Sequence, residues 1–578
     1  MTARDTGRRC STPLIVKAVA VVAHCRARHR TIRNWLHGIS AADSDARRPG
    51  FGRWPGLCTA LGYASMRRVP LQLAVWLFPL LLLPLMLAAS HDFGATWDEE
   101  LQQRRGEQIL DYYTGYAPEL AGSEDGSHLY GAGFDVLAVG LQRVFRGDIY
   151  IVRHRLNAFV GWLGVVFCGL IAWRLFGPGT ALLAMILLTV TPRYFGHSMN
   201  NPKDIPFATL SAAILYVVCG LPGQYPFFRV SNASVLALVS AMALNVRPGA
   251  LLFLVYVAVL LVHRLQKHGD LPFRPAVVTA AWMAGITLAT LAAGSLFWPW
   301  ALERPLVGPI SALREASSFG WPGYMLYDGH DVLAHRTPWH YVPRWMLYTT
   351  PLVTLIGVTL SVSLLRATSR SQGATVALWA VVLFPIVYVV GVHAVMYDGI
   401  RHLLFVFPPL AVLAAAGWMT AIRARSAAQR AAAWVVLVPV LCAPVAFIVR
   451  EHPNQVVYFN EIAGGPAALY GRYEMDYWGN CLLQALGQAD SLAPLGANPV
   501  KVSGWPLHLI RADASRYPRI EITERGAAQH SMEIVLSRGS RAAVTALASR
   551  PDLLAAVTTT DGALLCAVLP GPAEPTAR

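Results

Sequence analysis

Charge is scarce in this chain. Of its 578 residues, 14% are Asp, Glu, Lys or Arg while 55% are hydrophobic, whereas soluble domains carry roughly 25% charged residues. An ordinary soluble domain is excluded, and a polytopic membrane protein is expected. Metal-type cysteine spacing is missing too. Cys10, Cys25 and Cys58 lie in a basic N-terminal segment, and Cys168, Cys219 and Cys442 in apolar runs. Only Cys481 and Cys566 fall in the polar C-terminal region. They can pair if that region is extracytoplasmic, or stand as two free thiols. There is no internal repeat, no low-complexity tract and, in residues 1–65, no cleavable signal peptide. The first true span is therefore expected to stay as an anchor.

The charge that is present is unevenly spread. Residues 1–68 hold 13 Lys/Arg and 3 Asp/Glu, a net +10 out of +15 for the whole chain. Under the positive-inside rule this segment is cytoplasmic. Its arginines are scattered, with no folded recognition module beside them, so no nucleic-acid partner is expected. Residues 1–65 are read as a disordered basic segment or as sequence ahead of a true start at Met66.

Eleven apolar runs follow, near 69–89, 156–176, 179–196, 205–221, 229–246, 249–263, 275–297, 346–366, 374–396, 402–422 and 431–449. A helix needs about 20 residues to cross a bilayer. The fifth and sixth are separated only by Asn245, Arg247, Pro248 and Gly249 with their neighbours. Counting them as two spans puts Arg174, Arg229, Arg264/Lys267/Arg274, Arg366/Arg370 and Arg423/Arg425/Arg430 on one side, in short basic loops. That places the N-terminus in the cytoplasm and the C-terminus outside. The long loops 90–155 and 298–345 and the region 450–578 then share the outer face.

In the first outer loop, Thr96 and Glu99 fit a capping box at the start of a helix through Leu101, Ile109, Leu110 and Tyr113. A second amphipathic stretch spans Phe134 to Phe145, and both suit the bilayer interface. The region after Arg450 reads as a small α/β domain, with strands at Val500–Val502, Ile520–Ile522, Met532–Leu536 and Leu564–Leu569.

Several constellations share the outer face. Asp98, Glu99 and Glu100 stand beside Trp97 just after the first span. Acids in a first turn complement the helix dipole, but three at a membrane surface exceed that need, and one can serve as general base. Lys203 and Asp204 follow Asn200-Asn201-Pro202 at a helix start. Arg247 interrupts an apolar stretch, which makes it a functional candidate or a snorkelling side chain. Arg401 and His402, at the start of the tenth span, suit an anionic group. The loop 298–345 is rich in Trp and Tyr, which fits an interfacial belt or a stacking surface. Its Asp328, His330, Asp331 and His335 match no specific metal-site spacing.

Four stretches carry a family resemblance. They are Thr96-Trp97-Asp98-Glu99, Asn201-Pro202-Lys203-Asp204-Ile205-Pro206, Tyr397-Asp398-Gly399-Ile400-Arg401-His402, and His452 to Asn460 followed by Tyr473-Glu474-Met475-Asp476-Tyr477-Trp478-Gly479. Over roughly residues 66–480 the chain resembles the multi-spanning C-type-fold (GT-C) glycosyltransferases that use polyprenyl-phosphate sugars, in particular the family-39-like group containing protein O-mannosyltransferases and the aminoarabinose transferase. The resemblance implies a transmembrane module over 66–449 with about eleven helices, an extracytoplasmic domain over 450–578, and a site in the bacterial inner membrane with a periplasmic C-terminus. It implies inverting sugar transfer from a polyprenyl-phosphate donor to a glycan, lipid or protein acceptor. Asp98 would be the general base, Glu99 would assist it, and Asp204 would be the second acid. Lys203, Arg247, Arg401 and His402 would hold the donor phosphate. Some members of the family use a divalent cation, for which this sequence offers no ligand set. A transporter or flippase of lipid-linked sugars is the alternative. It would predict repeat symmetry and helices broken at mid-membrane.

Overall fold

A computed structural model describes residues 68–115, 127–266, 273–318, 321–366, 370–494, 499–524 and 531–571. The basic segment 1–65, its three cysteines and Lys267 lie outside the described residues. The contacts below all fall within one compact unit, Pro70–Arg578.

The first part of the chain is helical. Its main helices are α1 (Arg68–Ala89), α2 (Glu99–Thr114), α3 (Gly133–Phe145), α4 (Ile149–Phe176), α5 (Pro178–Thr189), α6 (Pro192–Asn200), α7 (Asp204–Cys219), α8 (Val230–Leu244), α9 (Leu251–Gln266), α10 (Phe273–Gly294), α11 (Tyr341–Thr349), α12 (Leu352–Ser361), α13 (Arg370–Gly391), α14 (Phe407–Ile422) and α15 (Ala427–Arg450). Among the described residues, seven helices are long and apolar enough to cross a membrane, or up to nine if each of two bent pairs counts as one span. The shorter apolar helices α7 and α8 stand where two further runs were expected. The protein is thus a polytopic helical membrane protein.

Local chemistry explains the breaks. The run 179–196 becomes two helices bent by 69°, and 346–366 becomes a pair bent by 110°. Each bend falls at a proline, Pro192 or Pro351. Proline lacks the N–H that would continue a helix, and it pushes the preceding residue towards extended backbone. Thr191 (ψ 103°) and Thr350 (ψ 128°) are extended accordingly. The weakly separated pair 229–246 and 249–263 is two helices, α8 and α9, with Arg247 in the break and a short 3-10 turn at Pro248–Ala250. Asn245 pins this break by donating to the Gly294 carbonyl (2.7 Å). At the centre, α12 and α14 touch backbone to backbone. A Cβ on Gly417 would collide with the Gly357 carbonyl, as small residues permit between membrane helices.

The C-terminal α/β domain holds β3 (Val500–Trp505), β4 (Ile520–Ile522), β5 (Met532–Leu536), β6 (Ala555–Thr558) and β7 (Leu564–Pro570), with β1 (Tyr324–Tyr327) and β2 (His330–Leu333) forming a separate hairpin upstream. The sheet order is β4-β3-β5-β7-β6, parallel on the β4-β3-β5 side and antiparallel at β7 and β6. The helices α16 (Cys481–Leu492), α17 (Leu507–Ala514) and α18 (Arg541–Ala548) accompany it. The four strands read from the sequence are present, and β6 is an addition. Its short Ala555-Ala556-Val557 pattern gives little strand signal.

Cys481 and Cys566 are bonded, joining the start of α16 to β7 across a sequence separation of 85. Both are fully buried. Because such a link restricts the unfolded chain, replacing both by Ala should cost about 2–4 kcal/mol. The check is thermal unfolding of the detergent-solubilised protein. An unchanged midpoint would mean that the link adds nothing to stability.

Several contacts tie the C-terminal domain to the helical part. One buried contact is at Gly94 and Ala95, ahead of α2. The Ala95 N–H donates to Asp513 Oδ2 (3.0 Å). A Cβ on Gly94 would stand 2.6 Å from the same oxygen and 3.1 Å from Leu483 Cβ, so only glycine admits this approach. Burial pushes the Asp513 carboxyl up to about 6, against the opposing pull of Arg516 and the Ala95 N–H. A raised carboxyl favours the folded state most at low pH, and that advantage is lost as pH climbs from about 4 through 6. Asp513→Asn keeps the acceptor oxygen without the charge. It should match the native protein near pH 3.5, below the unfolded carboxyl's own pKa, and exceed its stability at pH 8 by up to about 3 kcal/mol. Denaturation at the two pH values reads this, and equal differences at both would refute it.

Candidate active site

A cavity of about 590 Å³ opens where the two parts meet. Its walls come from the start of α2 (Trp97, Asp98, Leu101, Gln102, Arg105), the segment ahead of α3 (Leu129, Tyr130), Lys203, Arg247, the segment leading into β1 (Trp321, Gly323, Tyr324), the turn 397–402, Glu474, Trp478, the end of β3 (Trp505) and the residues just after β5 (Arg538, Gly539). Five Lys/Arg and three Asp/Glu line it, so it suits an anion.

Asp98 is placed by its neighbour. Glu99 bends back onto Thr96 and accepts from its N–H (2.9 Å) and its hydroxyl (3.1 Å). The carboxylate reaches back as expected, but the Thr96 hydroxyl donates to it rather than capping the helix. Glu99 is also bonded to His154 (3.1 Å) and stands 4.0 Å from Arg153, which pairs with Asp135 at 2.9 Å. Glu99 is fully buried in this network behind the cavity wall and does not line the cavity. Asp98 points the other way. Its side chain is 35% exposed, and its ion-pair partner is Arg401 at 3.7 Å.

Asp204 sits deeper. Asn201 organises the start of α7, accepting from the Asp204 N–H (3.0 Å) and donating to Asp204 Oδ2 (2.9 Å). The Asp204 side chain, 2% exposed, is shared by Arg247, which bonds to Oδ1, and by Arg401 at 3.4 Å. Arg401 therefore meets three carboxylates: Asp98, Asp204 and Asp398 (3.1 Å). Its guanidinium also lies over the rings of Tyr397 (4.9 Å) and Trp478 (5.1 Å). Asp398 and Gly399 reach this turn with φ of 55° and 66°, a region that glycine, asparagine and aspartate tolerate best.

Lys203 is different. Its ammonium lies 3.4 Å from the centre of the Tyr130 ring, a cation–π contact in the cavity wall. His402 packs edge-on against Tyr397 (4.7 Å), which in turn stacks on Trp321 (4.9 Å). Of the seven residues singled out from the sequence, Asp98, Lys203, Arg247, Arg401 and His402 line the cavity. Asp204 braces two of them from behind, and Glu99 faces away.

Sequence reasoning missed the contribution of the C-terminal domain. Arg538, just after β5, donates to Asp398 Oδ1 (2.7 Å) and to the Tyr477 carbonyl (3.0 Å), and lies over Trp97 (5.3 Å). Trp505 (5.6 Å) and His508 (5.0 Å) also pack against the Trp97 ring. No motif marks Arg538. Trp505 ends a strand whose pattern was visible, but nothing in the pattern points it at Trp97.

A divalent cation fits poorly. Asp98, Asp204 and Asp398 all converge on Arg401. Among the described residues no group of three or more His, Cys, Asp or Glu is arranged to hold a metal ion. Asp328, from the candidate cluster in loop 298–345, is taken up by Arg344 and by Arg472 (2.8 Å).

No protein-family model matches the chain, and no curated protein matches it in sequence. Solved structures do resemble it. ArnT from Cupriavidus metallidurans in the apo state is 13% identical with a TM-score of 0.47, covering 88% of this chain and 100% of that one. The same protein bound to undecaprenyl phosphate gives 13% and 0.44, over 89% of this chain and 100% of that one. The archaeal oligosaccharyltransferase AglB from Archaeoglobus fulgidus, in complex with an inhibitory peptide and a dolichol-phosphate, gives 10% and 0.46, over 80% and 69% respectively.

Proposed function

We propose that this protein is an integral-membrane glycosyltransferase that moves a sugar from a polyprenyl-phosphate donor to an acceptor hydroxyl with inversion. One observation carries the reading. The half-open carboxylate of Asp98 shares an aromatic-walled cavity with Lys203, Arg247 and Arg401. The four motifs that resemble polyprenyl-phosphate-dependent transferases supply three of these residues.

The chemistry suits the parts. Asp98 takes the proton of the acceptor hydroxyl as its oxygen attacks the anomeric carbon. The bond from that carbon to the phosphate oxygen breaks on the opposite face, and the departing polyprenyl phosphate gains a negative charge. Arg401, Arg247 and Lys203 neutralise that charge. Such fixed cations cost no reorganisation during reaction. Aligning acceptor and donor in one cavity supplies the rest. No metal is needed for this sequence of bond changes. The buried Cys481–Cys566 bond suits an oxidising compartment, which supports a periplasmic C-terminal domain and an outward-facing cavity in an inner membrane.

Transport of the lipid-linked sugar is the competing reading. The bends at Pro192 and Pro351 are the broken helices a transporter would use, yet no residue from α5, α6, α11 or α12 lines the cavity. The test is reconstitution in liposomes containing undecaprenyl phosphate linked to a labelled sugar. Transfer of label from lipid to a water-soluble or lipid acceptor is expected. Movement of intact lipid-linked sugar across the bilayer, with its sugar–phosphate bond unbroken, would overturn the reading.

A further inference from the structure

Glu474 has no role in the chemistry above, yet it lines the cavity. It is 6% exposed, and its Oε2 has no hydrogen-bond partner. Its backbone is fixed by the bond from its N–H to the Leu326 carbonyl (3.2 Å). The cation paired with it, Arg538, stays 3.9 Å from Oε1, outside hydrogen-bond reach. The reason is competition, because the two terminal nitrogens of Arg538 are taken by Asp398 and the Tyr477 carbonyl. Asp398 also holds Arg401. Glu474 is thus a buried carboxyl that lost its local cations to a neighbour.

A buried polar atom without a partner is costly, and in folded proteins such atoms normally find one. The open side here is the cavity. We propose that Glu474 is a substrate-binding residue whose carboxyl group hydrogen-bonds a carbohydrate hydroxyl placed beside the Asp98–Arg401 pair. This deepens the transferase reading and rests on it. The state of the group agrees. Burial, reinforced by Asp398 and opposed by Arg538 and Arg401, pushes Glu474 up to about 8. Near pH 7 it is a neutral acid that both donates and accepts, the pairing a hydroxyl offers. Arg538, Asp398 and Arg401 act on it electrostatically, and its own charge acts in turn on Tyr341 of α11.

The hydroxyl can belong to the donor sugar or to a sugar acceptor, and binding to the full chain in nanodiscs separates the two. The probes are undecaprenyl phosphate alone, the same lipid carrying glucose, mannose or arabinose, and the methyl glycosides of these sugars, read by tryptophan fluorescence. The native protein should prefer a sugar-carrying lipid over the bare one, or bind a methyl glycoside. Glu474→Ala should lose about tenfold in that sugar-dependent step, the worth of one good hydrogen bond. Affinity for bare undecaprenyl phosphate should not change. Glu474→Gln, still a donor and acceptor, should retain most of the sugar-dependent affinity. Loss of sugar-lipid preference assigns the hydroxyl to the donor, and loss of glycoside binding assigns it to the acceptor. Raising the pH through 8 should weaken the step in the native protein and leave Glu474→Gln unaffected. A sugar preference unchanged in Glu474→Ala, or a loss equal for bare and sugar-carrying lipid, would overturn the assignment while leaving the transferase reading intact. A native protein that binds none of these lipids would overturn both.

Discussion

Asp98→Asn is expected to lower transfer by a factor of about 10²–10⁴, the usual contribution of a positioned general base, while the protein folds normally. Both halves of that expectation come from geometry. The Asp98 side chain is 35% exposed, and its link to Arg401 at 3.7 Å is a loose ion pair. Asparagine is nearly isosteric and leaves Arg401 its pairs with Asp204 and Asp398. What disappears is the ability to take a proton. Transfer in liposomes measures the loss, and the melting temperature in detergent measures the fold. Undiminished transfer by a folded Asp98→Asn protein would remove the base assignment. Glu100→Gln is the natural control, because Glu100 pairs with Arg104 on the exposed face of α2 (2.9 Å) and should change transfer little.

Asp204→Asn should behave in the opposite way, failing through the fold. Its side chain is 2% exposed and balances two arginines, Arg247 and Arg401. Removing one partner of a buried ion pair typically costs about 3–5 kcal/mol, because a desolvated charge is left without compensation. Here two guanidiniums lose a shared partner, so the expected result is poor recovery of folded protein. The double variant Asp204→Asn/Arg247→Gln removes one stranded charge and should recover part of the loss. If Asp204→Asn alone folds with an unchanged melting temperature and is merely inactive, Asp204 acts in the chemistry rather than as a brace.

These two carboxylates show how far the sequence could be read. Both stand in short polar motifs after an apolar run, so both were visible as candidates. The sequence did not distinguish an acid that faces a cavity from one that braces the wall, since exposure is a property of packing. Glu99 shows the same limit. The Thr96–Glu99 spacing correctly announced that Glu99 would reach back, but its bond to His154 on α4 depends on a helix arriving from a distant part of the chain. The apolar runs were legible because spanning a bilayer imposes a length. The bends at Pro192 and Pro351 were less so, since proline is tolerated in membrane helices when neighbours satisfy the freed backbone groups. Cys481 and Cys566 were visible as the two thiols of the polar region, but whether they pair was set by the sheet that brings β7 beside α16. Arg538 was invisible, because its role exists only once the C-terminal domain docks.

The contact between Trp97 and the pair Arg538 and Trp505 has a consequence for synthesis. The ribosome makes Asp98 early and Arg538 late, after every membrane helix. During that interval Asp98 is already in place, but the wall that fixes Asp398 and covers Trp97 does not yet exist. The nascent chain therefore passes through insertion with an unfinished cavity, and the cavity is completed only after the C-terminal domain has folded. A complete cavity in this protein therefore marks a chain that has been made and folded to its end.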